Sequence, residues 1–384
     1  MEKHIIKIYP VGNGDTSLIR LDDKTTILID CLIRDSKENS DGNIIFNVKD
    51  DLLNSIGRKD KKPFVDLFIL SHTDEDHCLG FEKHFFNNKP LGDYNEDDSE
   101  AQKIVIGELW VTSNVFNINN CKCDDARAIR KEALRRKELY DKNNSSKEQH
   151  GNKLRIIGYD RNESLKNVPN YLPGLPTINK INQTVTKNFE IFIHSPFKEE
   201  LQRAYAEKNN TSIVIQTRFK NDNEDTFNGK ILFGGDADHF VWEKILNVTE
   251  NKNNQDYLEW DIFLAPHHCS WSFFNNRPYK DNQKPKNSSK SIIGNAYRKH
   301  GAYIIASSKI IKDDEDNPPH YPAKLEYINE VTSGFFLNTS SEPNEKEPKP
   351  IVFEFVSKNE GFEIVKKNVS AGAYIASTRP HRAG

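Results

Sequence analysis

Along the chain, most apolar stretches are short, rich in β-branched and aromatic residues and punctuated by Gly, Asn, Asp and Pro, a pattern that predicts strands. These centre on His4–Tyr9, Ser17–Leu21, Thr26–Asp30, Val65–Ser71, Ile104–Val111, Leu154–Tyr159, Phe189–His194, Thr211–Thr217, Lys230–Gly235, Trp260–Ala265, Ala302–Ser307, Gly334–Asn338 and Ile351–Val356. Helical spacing falls between them at Lys49–Ile56, Asp124–Asp141, Lys198–Lys208, Asp238–Leu246 and Ala323–Val331. The early strands follow one another as hairpins, and the later ones alternate with helices. That order predicts an α/β fold in which two sheets pack face to face with helices outside, a four-layer αββα sandwich. Polar stretches at Asn143–Lys153, Lys280–Ser291 and Ser340–Pro350 read as exposed loops or insertions. No internal repeat or two-domain boundary is visible, so residues 1–384 are expected to form a single domain.

Composition narrows the class without choosing a function. With 36% hydrophobic and 29% charged residues, the chain has the make-up of a soluble globular protein and not of a disordered one. Its formal charge of -3 gives no overall attraction to polyanions, so any nucleic-acid surface must be local. There is no apolar run of about 18 residues, and the amino-terminal stretch lacks the core of a signal peptide. A cytoplasmic protein without a membrane segment is expected. The five cysteines, Cys31, Cys78, Cys121, Cys123 and Cys269, are odd in number and scattered, which suits a reducing compartment. Cys121 and Cys123 have no second pair with which to form a zinc ribbon.

The strongest chemical signal is Ser71-His72-Thr73-Asp74-Glu75-Asp76-His77-Cys78, directly after the apolar strand Val65–Leu70. Neutral imidazoles and ionised carboxylates both donate lone pairs to divalent cations. A turn leading into a helix would let residues 72 and 74 face one metal and 76 and 77 another. Such a cluster elsewhere would read as a solvated acidic turn. Placed after a buried strand, with further His and Asp at later strand ends, it is costly unless a cation neutralises it. Asp236 ends the strand Ile231–Gly235 and suits a bridge between two cations, or the N-cap of the helix near Asp238. His267 and His268 follow the strand Trp260–Ala265; one of them is expected to be a ligand, and spacing does not say which. His194, at the end of Phe189–Ile193, is a further candidate ligand against the ordinary packing role of a lone histidine.

These residues resemble, in order, the motifs of the metallo-β-lactamase superfamily, and within it those of the hydrolase domain of ComEC-type DNA-uptake proteins. Val11-Gly12-Asn13-Gly14-Asp15 and Ile27-Leu28-Ile29-Asp30 are similar to its opening Gly-x-Gly-Asp hairpin and Leu-Ile-Asp strand. His72 to His77 resembles its His-x-Asp-x-Asp-His signature. Asn209-Asn210-Thr211-Ser212, Phe233-Gly234-Gly235-Asp236, Pro266-His267-His268-Cys269-Ser270 and His320-Tyr321-Pro322 match later elements, with Cys269 where glycine is expected. Together the matches span roughly residues 5–340. The resemblance implies a sandwich of the metallo-β-lactamase type and two ions of Zn²⁺ or Mn²⁺ activating water toward a phosphodiester or related ester. Asp76 would then be catalytic, and His320 would orient substrate or protonate the leaving group. The expected substrate is a nucleic acid or nucleotide. Hydrolysis of small esters, lactones or lactams, or a catalytically silent binding module, are the alternatives.

Three features depart from that pattern. The transmembrane channel of the uptake proteins is absent. Cys269 is expected to crowd or redox-sensitise its loop. The segment around 114–153 reads as an inserted helix whose Arg127, Arg130, Lys131, Arg135, Arg136 and Lys137 suggest phosphate contacts. Glu132, Glu138 and Asp141 interrupt that run, which favours a solvated face with internal ion pairs. Trp271, Phe273 and Phe274 are candidates for lining a cleft or for the core.

Overall fold

Alternation decides which face the first strands bury. In β1 (Ile5–Ile8), Ile6 and Ile8 are buried while Ile5 and Lys7 are half-buried, the period of two that a strand imposes. The computed structural model describes residues 2–38, 42, 44–158, 163–198, 208–296, 301–331 and 335–365. The first sheet has ten strands: β1, β2 (Ser17–Arg20), β3 (Thr26–Ile29), β4 (Gly57–Lys59), β5 (Lys62–Ile69), β6 (Val105–Thr112), β7 (Lys153–Ile157), β8 (Asn170–Tyr171), and, at the far edge, β18 (Ile351–Ser357) and β19 (Gly361–Ile364). The second has seven: β9 (Gly174–Ile178), β12 (Phe189–Ser195), β13 (Val214–Phe219), β14 (Gly229–Phe233), β15 (Ile262–Leu264), β16 (Tyr303–Ala306) and β17 (Phe335–Asn338). A separate ribbon pairs β10 (Lys180–Ile181) with β11 (Thr184–Val185).

Three apolar layers hold the sheets and helices together. The middle layer joins Ile6, Ile8, Ile27 and Leu67 of the first sheet to Ile191, Ile215, Ile231 and Ile262 of the second. On the first sheet's other face, Leu18, Leu28 and Phe68 pack with Leu52, Phe81 and Ile129 of the flanking helices. On the second's, Leu232, Phe263 and Ile304 pack with Trp242, Ile292 and Tyr327. The architecture is therefore mixed α/β, with helices on the outer faces of two opposed sheets. Strands covered on both faces need apolar residues throughout, and β6 is buried at every position. Its buried Val, Ile and Leu side chains each contribute about 1.5–3 kcal/mol by leaving water, while the buried Glu108 is held by Trp110 and Arg155.

Every long predicted strand is present within a few residues of its expected limits, and the helix Asp124–Asp141 has its expected limits. The helix expected over Lys198–Lys208 lies almost wholly outside the described residues. The loop expected over Lys280–Ser291 instead runs into a helix, Asn287–Gly294. There Ser288, Ser289, Ile292 and Ile293 are buried, and Ser289 Oγ donates to the Phe273 carbonyl at 2.6 Å. Serines on the inner face hide the apolar stripe that would have announced it. Among the described residues no helix is long and apolar enough to cross a membrane.

Several cations of the helix Asp124–Asp141 are engaged by groups of the protein itself. Arg136 is fully buried, donating to Glu132 at 2.7 Å and to the carbonyls of Lys153 and Ile106 at 2.7 and 3.0 Å. Arg135 shares Glu132, Arg127 pairs with Asp124, and Lys137 pairs with Asp141. A phosphate would have to compete with these partners.

Candidate metal centre

Parallel pairing brings the chemistry to one edge. β3 and β5 are parallel neighbours in one sheet, as are β14, β15 and β16 in the other, so the loops after their last residues leave on the same side. Asp30 follows β3, Ser71 to His77 follow β5, Asp236 follows β14, His267 and His268 follow β15, and Ser307 follows β16.

Four imidazoles there share one orientation. His77 donates from Nδ1 to Asp30 at 2.8 Å. The Ser71 hydroxyl donates to the same Asp30 carboxylate at 2.6 Å and accepts from His72 Nδ1 at 3.0 Å. His268 Nδ1 is held between the Ser307 carbonyl at 3.0 Å and the Gly14 N–H at 3.2 Å, and His267 Nδ1 lies 3.1 Å from the Ser272 hydroxyl. With each Nδ1 held by a partner, each Nε2 is turned inward, the orientation that second partners impose on metal-binding histidines.

The inward atoms sort about the two oxygens of Asp236. Near Oδ2 lie His72 Nε2 at 3.4 Å and His267 Nε2 at 3.6 Å, with Asp74 3.7 Å from His72. Near Oδ1 lie His77 Nε2 at 3.1 Å and His268 Nε2 at 3.6 Å, with Asp76 3.2 Å from His268. Asp15 completes a set with His77, Asp236 and His268 whose ligand-type atoms all lie within 4.8 Å of one another. Although His77 and Asp236 approach closely, the buried atoms His72 Nε2, His77 Nε2 and Asp236 Oδ1 have no hydrogen-bond partner. Leaving buried polar atoms unsatisfied costs about 1–3 kcal/mol each, so atoms converging without bonding one another fit a shared cation.

Electrostatics points the same way. Burial opposes a charge on His77, yet Asp236 and Asp30 outweigh it and raise its pKa well above the ordinary value. Burial likewise works against the Asp236 carboxylate, and the surrounding His77, His72 and His268 hold its pKa well below the usual range. The pocket favours positive charge at its centre, which a divalent cation would supply. The residues present therefore fit a metal.

The His pair owes its placement to backbone held at positive φ. His267, His268 and Cys269 have φ of 50°, 54° and 67°, a left-handed run costing about 1–2 kcal/mol per non-glycine residue. This run sends neighbouring rings to opposite oxygens of Asp236, so both histidines reach the cluster, a choice that spacing left open. The His267 N–H donating to the Gly235 carbonyl at 2.9 Å, and the Ser270 N–H donating to the His267 carbonyl at 2.9 Å, help to hold it. Gly234 permits the approach, since a Cβ there would lie 2.7 Å from Pro266. Cys269 is fully buried and burial pushes its thiol well up, which disfavours thiolate chemistry.

Asp74, Asp76 and His267 are the cluster's more open members. Asp74 and His267 face a cleft of about 790 Å³ lined also by Lys122, Phe240, Trp271 and Arg277. Asp238, and not Asp236, caps the following helix, accepting from the N–H groups of Phe240 and Val241. Phe273 and Phe274 belong to the apolar layer under the second sheet. His320 packs against Trp271 and Tyr279, and its N–H donates to the Cys269 carbonyl at 3.0 Å, bracing the His-pair loop. It does not line the cleft.

The structure does not bring His194 to the cluster. Its ring is buried against Phe192, and Nε2 is bound to the Tyr257 carbonyl at 2.9 Å. Burial lowers its pKa to about 4, against the ordinary 6.5. Protons then bind the unfolded chain before the folded one. His194 should therefore cost no stability above about pH 6.5 and remove roughly 3 kcal/mol as pH falls to about 4. Melting curves across that range should show less acid sensitivity in His194→Gln, and parallel curves would refute the assignment.

Asp15, Asp30 and Ser71 were visible only as pieces of a hairpin, a strand end and a turn. Nothing in their own neighbourhoods marks them as partners of histidines distant in sequence. No protein-family model matches the chain, and no match to it was found among curated proteins.

Proposed function

We propose that this chain is a dinuclear metal-dependent hydrolase of phosphodiesters with a fold of the metallo-β-lactamase type, Asp236 bridging two ions of Zn²⁺ or Mn²⁺. The observation that carries the reading is the shared orientation of His72, His77, His267 and His268, each Nδ1 anchored and each Nε2 turned toward Asp236. His72, Asp74 and His267 would hold one ion, and Asp76, His77 and His268 the other. Mixed imidazole and carboxylate donors suit either metal. When bound, such a pair supplies Lewis-acid polarisation of a phosphoryl oxygen and an acidified water.

The chain's own groups do the rest. Asp30 fixes two of the four imidazoles, directly and through Ser71. Asp76 is partly exposed, and although burial works against its charge, His268 and His77 keep its carboxyl well below the ordinary range. It therefore stays ionised toward the reacting centre. Lys122 and Arg277 line the cleft and would meet the phosphates of a nucleic acid or nucleotide substrate. Glu75 and Asp238 line it too, so binding would rest on these individual cations and not on a uniformly basic wall.

Protein stripped by chelator and reloaded with Mn²⁺ or Zn²⁺ should hydrolyse bis-p-nitrophenyl phosphate and single-stranded DNA. Hydrolysis of a lactone alone would replace the phosphodiester reading. No bound metal and no hydrolysis would leave a binding module. Asp30→Ala should weaken metal affinity about 10–100-fold, as loss of an orienting partner does. Competition against a chelator measures it, and unchanged affinity would deny Asp30 that role.

A further inference from the structure

Two thiols unused by this chemistry lie beside it. Cys78 directly follows His77, and its Sγ is 3.7 Å from Sγ of Cys123. The single S–H of Cys78 can turn either to Cys123 or to the Asp74 carbonyl, 3.2 Å away within the turn that carries Asp74, Asp76 and His77. Cys123 lines the cleft and caps the helix Asp124–Asp141, its sulfur accepting the Ala126 N–H at 3.3 Å. A half-buried sulfur at the start of an 18-residue helix is where a thiolate is favoured. The Cys78 hydrogen bond, chiefly, brings the Cys123 thiol down to about 7 against the opposing effect of burial. Cys31, Cys269 and Cys78 are all enclosed; burial pushes up the thiols of the first two, and the hydrogen bond with Cys123 and then burial raise that of Cys78, so Cys123 is the more readily ionised member of the pair.

We propose that Cys78 and Cys123 form a redox-modification site, which a peroxide converts into a disulfide tying the Asp74–Cys78 turn to the cleft wall. The Cys123 thiolate attacks the peroxide, taking one oxygen as sulfenic acid while the other leaves as water after protonation. The Cys78 thiol then attacks that sulfur, the S–S bond forms, and a second water departs. Two thiols are oxidised and one peroxide is reduced, consistent with the usual sulfenic route. The sulfurs must close from 3.7 Å to about 2 Å, a movement within reach of side-chain rotation and slight backbone adjustment. Because the disulfide has no S–H, the Asp74 carbonyl loses its donor, and the turn bearing three proposed ligands is strained toward Cys123.

The functional consequence rests on the metal reading, but the bond itself does not. Reduced full-length protein would be treated with equimolar hydrogen peroxide, blocked with iodoacetamide, digested without reductant and mapped by mass. The expected product joins the Cys78 and Cys123 peptides, two hydrogens lighter than their sum. It should disappear with dithiothreitol and be absent from Cys123→Ser, whose hydroxyl still caps Ala126. Cys123 recovered as sulfinic acid without a cross-link, or Cys78 joined to another cysteine, would overturn the proposal. Release of Mn²⁺ to a chelator should be about tenfold faster from the oxidised form, in line with loss of a supporting hydrogen bond. Equal release would overturn the control of the metal turn. The mass readout needs no metal, so this proposal and the hydrolase reading can fail separately.

Discussion

Replacing Asp236 by asparagine should lower kcat/KM for a phosphodiester by about 10³-fold, equivalent to roughly 4 kcal/mol of transition-state stabilisation. The substitution keeps shape and removes charge. The two carboxylate oxygens are each within 3.6 Å of two imidazole nitrogens, so one side chain serves both halves of the cluster. An amide offers a single acceptor, and its NH₂ would meet lone pairs of one histidine pair, leaving that pair without a counter-charge. Metal content should fall with activity while the circular dichroism spectrum remains native, because the three apolar layers are untouched. Native turnover in Asp236→Asn would show that Asp236 does not serve as a bridge.

Gly14→Ala should be the most damaging of the small changes. A Cβ at Gly14 would stand 2.2 Å from Leu32 Cδ1 and 2.6 Å from the Asp76 carbonyl oxygen, at φ +146°. The leucine tip can swing aside, but the carbonyl belongs to the ligand-bearing turn and also accepts the Asp15 N–H at 3.2 Å. Gly14 further accepts the Ser307 hydroxyl at 2.6 Å, and Ser307 anchors His268. Expected are a loss of about 2–4 kcal/mol in stability and about 10²-fold in turnover, since displacement near 1 Å suffices for the latter. Gly57→Ala is the matched control, because a Cβ there meets nothing within 4 Å. Thermal melts and kinetics of the two variants measure both effects, and equal behaviour would show that the hairpin does not hold Asp76.

The strands were legible because alternation and buried apolar runs are local properties. The same locality made His72, Asp74, Asp76 and His77 readable, lying together after one strand. Asp236 and the His pair were readable as polar residues at strand ends. Asp15 and Asp30 were not, since an aspartate in a hairpin or closing a strand looks alike whether it orients an imidazole or caps a turn. His194 had the same local setting as His268, and only the packing of Phe192 and Tyr257 shows its Nε2 engaged elsewhere. Arg135 and Arg136 read as part of a solvated face with internal ion pairs; Arg136 is instead buried, because partners at Lys153 and Ile106 are supplied from beyond the helix, as Asn152 is for Arg135.

On the proposed reading, two cations flank Asp236. Crystals grown with Zn²⁺ and measured at its absorption edge test this directly. Two anomalous peaks are expected, one among His72, Asp74 and His267 and one among Asp76, His77 and His268, with Asp236 between them. A cluster without a peak, or a single peak that leaves His72 and His267 uncoordinated, would contradict it.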